Sequence, residues 1–156
     1  MIQEFQSYIR PSAFLGAIIG LILGVLMTIP IVQLFAIFVF FGVGAIVTLM
    51  LIKNHFINSF ESKGGVIIGG VSGFVSVISA SVSFLILALL FGSIFSGTYD
   101  MLRAFFMSFS ALVVLIILIF CVAFMNMIFN MGAALLVLSL FYKNGEQTEF
   151  KVEKKE

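Results

Sequence analysis

No aspartate, glutamate, lysine or arginine occurs in residues 11–52, 64–99 or 104–142. Charge-free runs of that length belong in hydrocarbon, where about 20 apolar residues already suffice to cross a bilayer as a helix. Composition agrees: the chain is 62% hydrophobic and 10% charged, with a mean hydropathy of +1.28, whereas a soluble domain carries about 25% charged residues. Its 156 residues allow one domain. The apolar sequence continues as far as Tyr142, which fits a multi-pass membrane protein better than a cleaved leader.

The first block is too long for a single span. As one helix it would reach about 60 Å, twice the roughly 30 Å of a hydrocarbon core. Pro30 divides it, because proline disrupts the preceding helical turn and drives Ile29 toward an extended conformation. Two antiparallel helices are expected, at about 11–29 and 31–52, joined by a tight turn at Thr28, Ile29 and Pro30; a re-entrant hairpin is the competing picture. A third helix is expected at 64–91, the least bulky and most enclosed of the set, after a polar loop at 53–63. The last block, about 105–142, would be roughly 58 Å long as one helix. Asn126, Asn130 and Gly132 mark places where it could break. It reads as one long tilted helix, as an interfacial lead-in over 101–109 plus a helix, or as two helices.

Charge placement favours four helices. With both ends of the bundle on one side, that side holds Arg10, Lys53, Lys63, Lys143, Lys151, Lys154 and Lys155, against Arg103 alone on the other. This is the bias of the positive-inside rule, and it puts both termini in the cytoplasm. Tyr8, Tyr99 and Tyr142 fall at the expected membrane edges, where amphipathic rings favour the interface. Residues 1–10 read as a surface-lying segment or a frayed terminus, with Pro11 in the first turn of the first helix. Residues 143–156 mix lysine with glutamate and read as a disordered tail. The fold expected is thus an all-α integral membrane protein of four helices in two consecutive hairpins.

Within it, Gly16, Gly20 and Gly24 recur in pattern as Gly65, Gly69 and Gly73. Glycine at every fourth position lines one helix face and lets another backbone come close, the packing that membrane helices favour. These six residues are the expected helix-packing sites of a glycine zipper. Both sets begin helices that run the same way, so they are expected to pack on each other, with the bulky second and fourth helices outside. Gly42, Gly44 and Ala45 form another small patch.

Five residues suggest a polar pathway: Ser72, Ser76 and Ser83 on the third helix, and Asn126 and Asn130 one turn apart on the fourth. The plainer reading is that the serines bond back to their own helix and the amides to a neighbouring one. His55 reads as a solvated loop residue, because no second histidine, nearby cysteine or paired carboxylate accompanies it to hold a metal. Cys121 reads as a small apolar filler. Thr28 and Gln33 are expected to satisfy backbone groups at the turn.

No phosphate loop, catalytic triad or zinc motif is present, and no ionisable residue other than Cys121 and the tyrosines lies in an apolar block. Proton-coupled transporters keep such a residue within the membrane. Neither enzyme activity nor a cofactor or metal is expected, and a net charge of +1 offers nothing to nucleic acid. The expected partners are the lipid bilayer and either a second copy or another membrane protein. The leading functional expectation is a structural or accessory membrane protein acting through helix packing. A small oligomeric channel or passive facilitator is the alternative, and a holin-like permeabiliser a third. The layout of Gly16, Gly20 and Gly24, Pro30, Gly42 and Gly44, then Gly65, Gly69 and Gly73, resembles glycine-rich four-helix membrane proteins of bacteria and archaea whose function is undefined. The likeness covers 11–92 and implies four helices in a prokaryotic plasma membrane, but no activity.

Overall fold

A computed structural model describes residues 2–56, 62–91 and 109–153. They form four helices and no strand: α1 (Ile2–Leu26), α2 (Pro30–Lys53), α3 (Ser62–Phe91) and α4 (Phe109–Glu153). Each contains a stretch long and apolar enough to cross a membrane, at Tyr8–Leu26, Ile31–Lys53, Lys63–Ala88 and Leu112–Tyr142. Residues 57–61 of the expected loop at 53–63, residues 101–108 of the lead-in expected over 101–109, and Tyr99 lie outside the described residues.

The ends of the helices have local causes. Three residues separate α1 from α2. Ile29 is extended at φ −98° and ψ 113°, and Pro30 takes the first turn of α2, where its missing N–H costs nothing. Thr28 donates twice to the Val25 carbonyl at the end of α1, from its backbone N–H at 3.2 Å and from Oγ1 at 2.7 Å. The Gln33 side chain does not serve the turn as expected, and faces a cleft described below. At the other end of α2, His55 adopts a left-handed φ of 58°. The amide of His55 donates to Ile52 and that of Phe56 to Leu51, both at 3.0 Å, which is the Schellman arrangement with histidine where glycine is usual. His55 is exposed, and the described residues contain no group of side chains fit to hold a metal.

Two boundaries differ from expectation. Residues 2–10 are not a separate surface segment but continue into α1, so Pro11 lies inside the helix. Proline removes one backbone hydrogen bond there; close by, Ser12 Oγ donates to the Tyr8 carbonyl at 2.6 Å. Of its three readings the last block takes the single long helix: α4 is continuous through Asn126, Asn130 and Gly132. It also runs on through 143–153, where a disordered tail was expected. Extending an existing helix requires no new nucleation, so a polar sequence can follow an apolar one in the same rod.

Direction follows from contacts. Gly16 lies against Ser72, Gly20 against Ser76 and Gly24 against Ala80 and Ser83, so α1 and α3 run parallel. Gly65 lies against Leu138 and Gly73 against Asn130, so α3 and α4 run antiparallel. With the tight turn reversing α2, the chain alternates up and down. Arg10, Lys53, Lys63 and the Tyr142 end of the α4 span therefore share one end of the bundle. α3 is the central helix, in contact with all three others. α4 packs against α3 and α2 and is the least buried of the four spans, which agrees with the outer place expected for it.

The interior is built from small residues. Ser12, Thr48, Ser72, Ser76, Ala123, Ala134 and Asn130 are buried, with Leu51, Ile68 and Leu138 among the few large side chains fully enclosed. Large apolar groups point outward, Phe38 and Ile31 each being 76% exposed and Phe14 and Phe35 nearly as much. Apolar surface on that scale suits a lipid solvent and would aggregate in water.

Candidate functional site: the glycine seams and the asparagine junction

The two glycine rows do not pack on each other. Each meets a different helix. Gly16, Gly20 and Gly24 form a seam with the serine face of α3, where a Cβ added at Gly16 would stand 2.8 Å from Ser72 Cα and one at Gly20 2.7 Å from Ser76 Cα. Such distances are closer than real Cβ atoms come, so the backbones of α1 and α3 touch directly here. Gly65, Gly69 and Gly73 receive α4 instead, together with Gly70, which abuts Met131. A glycine row therefore announces close approach without naming the helix that approaches. The expected contact between the first and third helices is present, with serine supplying the opposite face.

Ser72 and Ser76 are fully buried in the first seam, yet neither lacks a partner. Ser72 Oγ donates to Ile68 at 2.6 Å and Ser76 Oγ to Gly73 at 2.9 Å, both carbonyls of their own helix. Ser83 reaches across, donating to the Leu21 carbonyl of α1 at 3.1 Å. Small side chains that satisfy themselves locally let the helices close without stranding a hydroxyl.

Asn130 occupies the junction of α2, α3 and α4. It is wholly buried, and its carboxamide spans a helical i, i+4 pair on α2. Oδ1 accepts from the Gly44 N–H, while Nδ2 donates to the Phe40 carbonyl at 2.9 Å and to Asn126 at 2.8 Å. Both amide protons and the carbonyl are used. Three glycines make room: Gly44 and Gly69 lie against the Asn130 backbone, and a Cβ at Gly73 would stand 2.7 Å from Asn130 Cβ. Asn126, one turn earlier, is 4% exposed and donates from Nδ2 to the Gly73 carbonyl at 2.9 Å.

The residues read as a polar pathway thus fall into two groups. The serines face α1, and the two asparagines face the α2–α3–α4 junction. Gly44 and Phe40 as receivers of Asn130 were not foreseen; an asparagine in an apolar run demands a partner but does not specify which backbone provides it. Cys121 is exposed rather than an interior filler. Comparison with family models, with curated proteins and with solved structures finds no match to this chain.

Proposed function

We propose that the chain is a non-enzymatic multi-pass membrane protein, structural or accessory, whose working surface is helix packing with a second copy or a membrane partner. The observation that carries this reading is a pair of glycines used by nothing within the bundle. Among the described residues, Gly42 in α2 and Gly132 in α4 have no atom within 4 Å of the position a Cβ would take, whereas Gly16, Gly20, Gly24, Gly44, Gly65, Gly69, Gly70 and Gly73 are all covered. Glycine inside a helix costs roughly 1 kcal/mol against alanine in water, and in membrane helices small residues mark contacts. In sequence Gly42 follows Phe41 and Gly132 lies three residues after Phe129, and those two rings meet edge to face between α2 and α4 with centroids 5.1 Å apart.

The self-satisfied serines support packing over passage, since a hydroxyl bonded to its own helix and covered by another offers nothing to a moving solute. The lysine and arginine distribution supports cytoplasmic termini, and the resemblance of the glycine layout to prokaryotic membrane proteins supports a plasma-membrane location. Gly42→Leu and Gly132→Leu should each lower the mass of the particle in mild detergent toward that of a 17.1 kDa monomer. Thermal stability of that monomer should change by less than about 0.5 kcal/mol, as for substitutions away from packed features. Light scattering coupled to size exclusion checks this; an unchanged mass in both variants would count against the reading.

A further inference from the structure

Between α2 and α4, on the side of the α1–α2 turn, lies a cleft of about 520 Å³. Its floor is α3, through Val77, Ala80, Ser81 and Phe84, and Met27 stands at its outer end. The rim residues Gln33, Ile37, Phe41, Val122, Met125 and Phe129 are exposed, so the cleft opens sideways into the surrounding hydrocarbon. That volume falls within the roughly 300–1,000 Å³ of small-molecule sites.

Asn126 borders the cleft at its inner end and distinguishes it from a groove for lipid tails. Its Nδ2 donates to Gly73, which fixes the orientation of the amide, since a flip would oppose two oxygens. No described residue donates to its Oδ1, yet the described residues contain no sealed polar side-chain atom without a partner. Oδ1 therefore keeps accessible surface although Asn126 is 4% exposed. Gly73, its partner, lies ten residues beyond Lys63, about 15 Å along α3 and near the middle of a 30 Å hydrocarbon layer. At that depth no water competes for the acceptor, and an unpaired amide carbonyl is costly.

We infer that this cleft binds a neutral, hydrophobic hydroxy compound with an aromatic body, its hydroxyl donating to Asn126 Oδ1. The walls choose the body: Phe40, Phe84 and Phe129 offer ring faces and edges, and Met27 and Met125 offer thioethers that pack well on aromatic rings. The absence of lysine, arginine and histidine from the lining chooses neutrality, because nothing there would balance an anion. A saturated tail fills the space but leaves the carbonyl unpaired.

The test uses the full chain in lipid nanodiscs with tritiated octylphenol, protein-free nanodiscs as blank, and octylphenol methyl ether as competitor. Saturable binding of one molecule per chain is expected, with the methyl ether, which lacks the donor, weaker by roughly tenfold, a hydrogen bond's worth. Asn126→Leu should bring phenol and ether to the same affinity, and Val77→Phe, which fills the floor, should abolish saturable binding of both. Equal affinity of phenol and ether for the unmodified protein would overturn the inference and leave a groove for hydrocarbon tails only. So would undiminished binding by a folded Val77→Phe protein.

Discussion

Replacing Gly20 with leucine should unfold the bundle in detergent at a temperature lower by on the order of 10 °C or more, reflecting a loss of about 3 kcal/mol. The cause is backbone against backbone. An added Cβ at Gly20 would stand 2.7 Å from Ser76 Cα and 2.9 Å from its carbonyl carbon. Neither atom belongs to a side chain that can rotate aside, so α1 and α3 must separate. Separation spoils the flanking contacts of Gly16 with Ser72 and of Gly24 with Ala80, and it lengthens the Ser83 bond to Leu21. Gly69→Leu should behave alike, because its added atoms meet the Asn130 backbone and Ala134 Cβ. Circular dichroism during a thermal scan measures the effect. Stability equal to that of the unmodified protein in Gly20→Leu would mean that the seam does not exist.

Asn130→Leu should cost about 2 kcal/mol, a different kind of loss. Leucine keeps the branching of asparagine but is bulkier, so the substitution removes the hydrogen bonds and crowds the junction as well. Three bonds depend on the carboxamide, and bonds between membrane helices average about 0.6 kcal/mol with a maximum near 1.7. The lost bonds to Gly44 and Phe40 are the ones that tie α4 to α2, so the damage should be local as well as global. Amide hydrogen exchange around Gly44 should accelerate more than exchange around Ser76 in the α1–α3 seam. Uniform exchange rates across both regions would contradict the junction described for Asn130.

Much of the architecture was legible because the bilayer enforces it. Charge-free blocks, Pro30 and the lysines at one end lead to four alternating helices with few other solutions open. Pairing was less legible. Gly16–Gly24 and Gly65–Gly73 look like two halves of one contact, yet the faces that meet are glycine on serine and glycine on α4. A smooth face fits any backbone, and what selects among them is the sum of bulky neighbours on every helix. Asn126 and Asn130 left the last block open between one helix and two. As isolated polar residues in an apolar run they resemble a break, but Phe40, Gly44 and Gly73 supply backbone partners from other helices, and α4 stays whole. Pro11 resembled a helix start for an equally local reason, yet α1 begins at Ile2 and runs on through it, giving up one backbone hydrogen bond.

The central claim is the parallel register of α1 against α3, with Gly24 facing Ser83 rather than Gly73. Cysteine pairs in the full chain, with the native Cys121 changed to alanine, read that register in intact membranes. Ser83 Oγ lies directly over the face of Gly24; the single Cβ added in Gly24→Cys presses on the Ala80 backbone and eases α1 and α3 apart locally, and with Ser83→Cys the two sulfurs stay within reach of a disulfide, which needs Cβ atoms about 3.5–4.5 Å apart. Mild oxidation should close that pair within one chain, giving a faster-migrating monomer on a non-reducing gel. Gly24→Cys with Gly73→Cys should remain open under the same oxidation. A closed 24–73 pair with an open 24–83 pair would contradict the register and with it the whole arrangement of the bundle.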